Sequence, residues 1–171
     1  MGCEKAQSKV VTMTDYLKRP LKLYLDTSVP NFLFVQDAED KRKITEELFR
    51  PEIRNQYEFY ISAVVIREIE GAQFYKQQEL QEALSGIEIL ELTKEADLLA
   101  EAYVRAAALP RSSFEDAEHV AIASINNLDA VVSWNFKHLV NLRRVKLVNL
   151  VNEEMGYKHI EIISPQEVIN L

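Results

Sequence analysis

The stretch SSFEDAEHVAIASINNLDAVVSWNFKH, residues 112–138, decides the fold. Its first half carries apolar residues at helical spacing, and Ser112 or Ser113 is expected to cap that helix. A short turn then leads to AVVSW, residues 130–134, which is apolar almost throughout and predicts a fully buried strand. A helix followed by a buried strand is typical of an α/β protein with a largely parallel sheet.

The same alternation of strands and helices extends over most of the chain. Strands are expected within residues 21–29, 57–65, 87–93, 130–134 and 159–165, separated by segments with helical periodicity. In the first strand, apolar Leu23 and Leu25 alternate with Lys22 and Tyr24. We therefore predict a three-layer α/β/α sandwich around a mainly parallel sheet, formed as a single domain by residues 21–171 after a flexible extension at residues 1–20.

Composition narrows the class of protein. A chain of 171 residues that is 47% hydrophobic fits one domain with a sizeable core. The net charge of −7 and pI of about 5.1 argue against a basic surface for nucleic acid, although acids gathered at a metal site lower the net charge too. The single cysteine, Cys3, allows no intrachain disulfide and favours a reducing cytoplasm. No window reaches the ~18 apolar residues of a membrane span, so we expect none.

Three acidic residues occupy positions where a shared site is expected. Asp26 ends the first strand, Glu68 lies in the helix after the second strand, and Asp116 lies in the first turn of the helix after Pro110. Parallel sheets bind ligands outside the carboxyl ends of their strands, so these side chains are expected to face one cleft. Gathered carboxylates repel each other, and their hard oxygen atoms suit Mg²⁺ or Mn²⁺ rather than zinc.

Each acid also has a purely structural explanation. Asp26 could cap the turn that follows it, and Glu68 could be a solvated helix residue. Asp116 follows Ser113 at the spacing of a capping box, in which the acid reaches back to the cap amide. An aspartyl-nucleophile phosphatase would also place an Asp after a strand, but it requires a second Asp two residues on, where this chain has Ser28.

Four stretches of the sequence resemble the PIN-domain family: LYLDTSV, ISAVVIREIEG, SSFEDAEHVAIASINNLDAVVS and WNFKHLVN. Together they span about residues 21–165. The resemblance implies a Rossmann-like sandwich and a Mg²⁺- or Mn²⁺-dependent ribonuclease. Many members of the family are the toxin halves of type II toxin–antitoxin pairs. The resemblance therefore implies an RNA substrate, a cognate antitoxin and a homodimer as partners.

The resemblance also assigns residues to roles. Asp26, Glu68 and Asp116 match the three metal-binding acids of the family. Three hydroxyl residues match positions that hold metal ligands or water by hydrogen bonds: Thr27, Ser28 and Ser62.

Asn135 departs from the family pattern, because many members carry Asp at this place. Its amide oxygen could ligate Mg²⁺ or accept a hydrogen bond from bound water, but Asn adds no negative charge and cannot act as a general base. The departure motivates an alternative function, a catalytically weak or inactive PIN-fold module that binds RNA or a protein.

Lys137 and His138 could meet a phosphate or simply be solvated. Trp134 is expected in the core rather than stacked on a base, and His119 is expected at the core boundary.

Overall fold

The computed structural model describes residues 19–71 and 74–171. Its strands are β1 (Leu21–Leu25), β2 (Tyr57–Ser62), β3 (Glu88–Leu90), β4 (Ala130–Val132) and β5 (Glu161–Ile163). Its helices are α1 (Ser28–Phe32), α2 (Glu39–Leu48), α3 (Pro51–Arg54), α4 (Ala63–Glu70), α5 (Phe74–Ala83), α6 (Lys94–Arg105), α7 (Phe114–Ile125), α8 (Leu142–Glu154) and α9 (Pro165–Val168), with a 3-10 turn at Arg111–Ser113.

The five strands form one parallel sheet in the order β3-β2-β1-β4-β5. In the centre of the sheet, Leu23 of β1 is in register with Phe59 of β2 and Ala130 of β4. The chain runs from β1 outward through β2 to β3, and then returns to the other side of β1 for β4 and β5. The strand order therefore reverses between β1 and β4, which opens a crevice at their carboxyl ends. The predicted α/β fold with a parallel sheet is confirmed.

The central strand β1 shows that both faces of the sheet are covered. Leu23, Tyr24 and Leu25 are each 0% exposed, and successive side chains of a strand point to opposite faces. The alternation in the sequence grouped Tyr24 with Lys22, but Tyr24 is buried because β1 lies between two other strands under helices on each face. The predicted three-layer sandwich is confirmed by this burial on both faces.

Helix starts follow the predicted caps in one case and not in another. The Thr93 side chain accepts a hydrogen bond of 3.2 Å from the Ala96 backbone N–H at the start of α6, as expected for an N-cap. Ser113 occupies the N-cap position of α7, but its side chain forms no capping bond. The capping box suggested by Ser113 and Asp116 is therefore wrong, and the Asp116 carboxylate has a different partner, described below.

The segment before β1 is tied to the turn before β4. Arg19 donates two hydrogen bonds of 2.6 and 2.7 Å to the Asp129 carboxylate, which also accepts one of 2.8 Å from the Lys22 backbone N–H. Residues 1–18 of the extension predicted at residues 1–20 lie outside the described residues. Within the part of the chain that the structure describes, no helix has both the length and the apolar character needed to cross a membrane.

Candidate active site

Asp26 lies at the reversal point of the sheet. Its backbone N–H donates a hydrogen bond of 3.2 Å to the Val132 carbonyl, so the pairing of β1 with β4 continues up to Asp26. The residue is only 3% exposed. The crevice between the two strand ends thus begins at a buried carboxylate.

Two serine hydroxyls hold the Asp26 carboxylate. Asp26 Oδ1 accepts hydrogen bonds from the Ser28 backbone N–H at 3.0 Å and from Ser28 Oγ at 2.5 Å, and Oδ2 accepts one from Ser133 Oγ at 2.5 Å. Each hydroxyl in turn accepts a backbone N–H, Ser28 from Trp134 at 2.8 Å and Ser133 from Asn135 at 2.9 Å. The hydroxyls therefore connect the segment after β4 to the carboxylate after β1.

Burial dominates the electrostatics of Asp26 and Asp116. Burial raises the pKa of Asp26, and the nearby His119 and the Ser133 and Ser28 hydroxyls only partly offset it. Burial, followed by repulsion from the Asp26 charge, raises the pKa of Asp116 to about 6. Within residues 19–71 and 74–171, neither carboxylate forms an ion pair with Lys, Arg or His. The two acids thus lie near each other, one buried and one half-buried, with no ion-pair partner in those residues, and His119 is the nearby group that lowers both pKa values.

Glu68 has a different environment. Its Oε2 atom accepts hydrogen bonds from Thr27 Oγ1 and from His119 Nε2, the latter at 3.0 Å. Partial burial raises the pKa of Glu68, but the hydrogen bonds from His119 and Thr27 prevail and the pKa is lowered overall. The neighbouring Arg67 is held at 2.7 Å by Glu118 and so does not neutralise Glu68 directly.

A buried hydrogen-bonded chain supports Glu68 from behind. His119 Nδ1 lies 2.7 Å from the Tyr24 hydroxyl, which lies 2.6 Å from Ser62 Oγ. Ser62 caps α4 by accepting the Val64 backbone N–H at 3.2 Å. When the imidazole is neutral, donation from Ser62 to Tyr24, from Tyr24 to His119 and from His119 to Glu68 satisfies every group. Ser62 therefore acts on Glu68 through two intervening side chains.

Asn135 is a hydrogen-bond donor to Asp116. Its Nδ2 atom lies 3.0 Å from Asp116 Oδ2 and 3.2 Å from Oδ1, and its Oδ1 atom accepts the His138 backbone N–H at 3.0 Å. The His138 N–H fixes which way the amide points, because a reversed amide would set two donors against each other. The amide oxygen, for which the sequence left open a contact with Mg²⁺ or with bound water, is thus occupied within its own turn.

The Asn135→Asp variant is expected to be less stable than the wild type by about 1–3 kcal/mol at neutral pH. The new carboxylate can still accept the His138 N–H, but it removes the donor to Asp116 and places a like charge there. Denaturant unfolding in metal-free buffer measures the difference. Asn141→Asp is the matched control, because the Asn141 side-chain oxygen caps α8 and Asp caps equally well. Equal losses in the two variants would contradict the expectation.

The residues at the rim of the site differ in exposure. Trp134 is 6% exposed and its Nε1–H donates a hydrogen bond of 2.9 Å to Thr45 Oγ1, so its predicted core position is confirmed. Lys137 is exposed. Burial, together with the charges of Lys137 and Arg144, lowers the pKa of His138.

Two residues of the site were not singled out from the sequence. Ser133 became recognisable only once β4 was known to lie beside β1, because this neighbour relation places it opposite Asp26. Tyr24 was hidden by its alternation with leucines. A tyrosine inside an otherwise aliphatic central strand is the signal that could have indicated a buried polar partner, since buried Tyr hydroxyls usually find one.

The carboxylate oxygens of the site suit a hard divalent cation, but the described side chains do not form a complete group of metal ligands. Asp26 and Asp116 offer carboxylate oxygens that have no ion-pair partner among the described residues, and carboxylate oxygens are the ligands that Mg²⁺ and Mn²⁺ prefer. However, no group of three or more His, Cys, Asp or Glu side chains within the described ranges could hold a metal ion. The three carboxylates instead accept hydrogen bonds from their own neighbours. The ligand set of Asp26, Glu68 and Asp116 stays a prediction.

Comparisons with known proteins bear on the fold. No family model and no curated protein matches the sequence. The crystal structure of VapBC2 from Rickettsia felis bound to a DNA fragment from its promoter is similar to this chain with a TM-score of 0.54 at 14% identity, over 84% of this chain and 98% of that one. Mycobacterium tuberculosis VapC20, a sarcin–ricin loop cleaving toxin, gives a TM-score of 0.47 at 15% identity, over 64% of this chain and 86% of that one.

The first of these likenesses carries the conclusion on fold, because it spans nearly the whole of the VapBC2 chain. VapC toxins are PIN-domain proteins, and the parallel sheet order with acids at the reversal point agrees with the motifs quoted from the sequence. The chain therefore has the PIN-like fold that its sequence resembles.

Proposed function

We propose that the protein is a Mg²⁺- or Mn²⁺-dependent endoribonuclease that hydrolyses RNA phosphodiester bonds. The observation that carries this proposal is the pair of neighbouring acids, buried Asp26 and half-buried Asp116, neither of which has an ion-pair partner among the described residues. A bound divalent cation would neutralise charge on the scissile phosphate and make water a better nucleophile. Such a cation is the partner that the uncompensated carboxylates lack.

The residues of the chain have separate roles in this proposal. Asp26, Glu68 and Asp116 would hold the cation. Ser28 and Ser133 fix the two oxygens of Asp26, so that its lone pairs point in defined directions. Thr27 and His119 orient Glu68, and Asn135 orients Asp116 through its amide N–H groups. The hydrogen-bond donors thus position the acids rather than react themselves.

A second function is favoured by two specific observations. Asn135 donates to Asp116, and the described side chains do not form a three-ligand metal group. Both features fit a catalytically weak or inactive PIN-fold module that binds RNA or a protein. We rank this function second, because a module without an ion would gain nothing from two neighbouring acids that have no ion-pair partner among the described residues.

The proposed setting is the cytoplasm, with a cognate antitoxin as partner. The likeness to VapBC2, which was solved with promoter DNA, supports a toxin-like role in a type II toxin–antitoxin pair. A homodimer is proposed on the family resemblance alone.

The test is cleavage of a panel of structured RNAs by the purified protein with Mn²⁺, with and without EDTA. Glu68→Gln and Asp116→Asn should each reduce cleavage by more than ~100-fold, since groups that merely orient metal ligands already contribute 10- to 100-fold. Glu115→Gln is the matched control, because it removes the same charge from an exposed position next to Asp116. Its activity should stay within about 2-fold of the wild type.

Two outcomes would contradict the nuclease. Cleavage that survives EDTA, or that survives both acid substitutions, would belong to a contaminant or to another site. Calorimetric titration separates the two functions independently of turnover. A wild-type protein that takes up no Mn²⁺ at millimolar concentration would leave only the binding module.

A further inference from the structure

Three aromatic rings and one lysine form a cluster beside the candidate site. Its members are Phe32, Lys41, Trp134 and Phe136, which we call the aromatic cluster. The Trp134 ring centroid lies 5.8 Å from that of Phe32 and 6.0 Å from that of Phe136, which it meets edge to face. Lys41 Nζ lies 4.8 to 5.3 Å from all three ring centroids. The cluster is therefore packed and preorganised.

Phe136 is the part of the cluster that solvent can reach. It is 48% exposed, whereas Trp134 is buried and hydrogen-bonded to Thr45. The other large apolar side chains that are exposed among the described residues belong to other segments: Ile89, Leu98, Leu142, Leu150, Met155 and Leu171. The cluster thus offers one flat aromatic ring to solvent rather than a broad apolar patch, which suits a single planar ligand group better than a protein surface.

The residue that carries the exposed ring directly follows a residue of the candidate site. Asn135, which donates to Asp116, directly precedes Phe136, and consecutive Cα atoms are about 3.8 Å apart. On the other side, the Trp134 backbone N–H donates to Ser28 Oγ, which donates to Asp26. The backbone on the N-terminal side of Phe136 is therefore held by the same hydrogen bonds that order the site.

The charges around the ring suit a phosphate. Lys41 forms no ion pair within residues 19–71 and 74–171 although the protein carries a net charge of −7. The exposed Lys137 follows Phe136 in the chain and likewise has no ion-pair partner in the described part. Two cations without an ion-pair partner, Lys41 at 5.3 Å from the Phe136 ring centroid and Lys137 next to Phe136 in the chain, match the anionic backbone and flat base of a nucleotide.

We propose that Phe136, with Lys41 and Lys137, forms a subsite on which one unpaired nucleobase of the RNA substrate stacks. The inference rests on the RNA substrate of the proposed function and adds that the preferred RNA is single-stranded or looped at this position. A base in a duplex is already stacked on its neighbours and cannot cover the ring, whereas an unpaired base can.

The experiment measures binding separately from cleavage. Fluorescence anisotropy in EDTA follows a labelled single-stranded RNA of mixed sequence and the blunt duplex made from it. Phe136→Leu keeps the apolar bulk but removes the ring, and it should weaken single-strand binding about 5- to 100-fold, as expected for one lost stacking contact. Phe136→Tyr keeps the ring and should bind within about 2-fold of the wild type.

Two controls and one further subsite variant sharpen the result. Leu150→Ala removes an exposed apolar side chain from α8 and should leave binding unchanged. Lys41→Gln should weaken binding and make it less dependent on salt, since one phosphate contact is lost. Thermal unfolding of Phe136→Leu should resemble that of the wild type, because the side chain is half exposed.

The outcomes separate this subsite from the nuclease. Equal single-strand binding by Phe136→Leu and the wild type would overturn the subsite, even if the wild type cleaves RNA with Mn²⁺ and Asp116→Asn does not. Light scattering that shows a wild-type dimer and a Phe136→Leu monomer would also overturn it, because the ring would then be a protein interface. Ring-dependent single-strand binding without any Mn²⁺-dependent cleavage would support the subsite and refute the nuclease.

Discussion

Asp26→Asn is expected to lose Mn²⁺-dependent RNA cleavage by more than ~100-fold and, at the same time, to unfold at a higher temperature than the wild type. The loss of cleavage follows from the proposed role of Asp26 as a ligand of the cation. The gain in stability follows from its burial, since an ionised carboxylate that is 3% exposed is costly to keep away from water.

The sign of the stability change comes from the pKa of Asp26. Burial raises this pKa in the folded protein, so the folded state binds more protons than the unfolded state over the window between the two pKa values. Stability from this group is present at low pH and is lost as the pH rises through the folded pKa. Above the pKa of the unfolded state the group is therefore a net cost to stability, which Asn removes. The Asn oxygen can still accept from Ser28, and the Ser133 hydroxyl can accept from the new amide.

Asp97→Asn is the matched control for this variant. Asp97 is exposed in the first turn of α6, where a negative charge favours the helix. The control should keep full cleavage and should be slightly less stable than the wild type. Thermal unfolding and the RNA assay measure both properties on the same samples. An active Asp26→Asn variant would place the site elsewhere, and a variant with a lower unfolding temperature would show that the buried charge is well compensated.

The metal-free wild type is expected to lose stability relative to Asp116→Asn as the pH rises from about 4 to 7. Burial and the Asp26 charge raise the pKa of Asp116 from 3.8 to about 6. Below the pKa of the unfolded state, Asp116 is protonated in both states and its contribution to stability is fully present. That contribution is lost as the pH rises through about 6, the pKa of Asp116 in the folded state. The expected change is on the order of 2–3 kcal/mol.

The measurement is denaturant unfolding of both proteins at several pH values in EDTA. Only the difference between them isolates Asp116, because Glu68 and Asp129 have lowered pKa values and contribute stability that increases with pH. Mn²⁺ added at neutral pH should stabilise the wild type but not Asp116→Asn. Glu115→Gln should follow the wild type in both respects. Parallel pH profiles for the wild type and Asp116→Asn would contradict the raised pKa.

The sequence predicted the fold and the position of individual acids better than it predicted their contacts. Strand and helix periods are local properties, so the alternation that indicates a parallel sheet could be seen without coordinates. The ends of β1 and β4 were recognisable in the same way, which is why Asp26 and Asn135 were singled out. Thr93 was a correct cap because its partner lies only three residues away.

The errors and omissions share a physical cause. The pattern of Ser113 and Asp116 fits a capping box, but Asp116 gains a stronger partner in Asn135, which is remote in sequence. Ser133 and Tyr24 acquire their roles from the side-by-side placement of β1 with other strands, and no local pattern encodes strand order. Phe136 was missed because exposure of an aromatic ring depends on what packs around it.

Trp134 gives this molecule a built-in optical reporter. It is the only tryptophan in the sequence, and its backbone N–H reaches the Ser28 hydroxyl that fixes Asp26. Its emission therefore comes from one known place, an indole that packs against Phe32 and the exposed ring of Phe136. Any ligand that changes the surroundings of Trp134 can be followed by intrinsic fluorescence, without a dye and without altering a single residue.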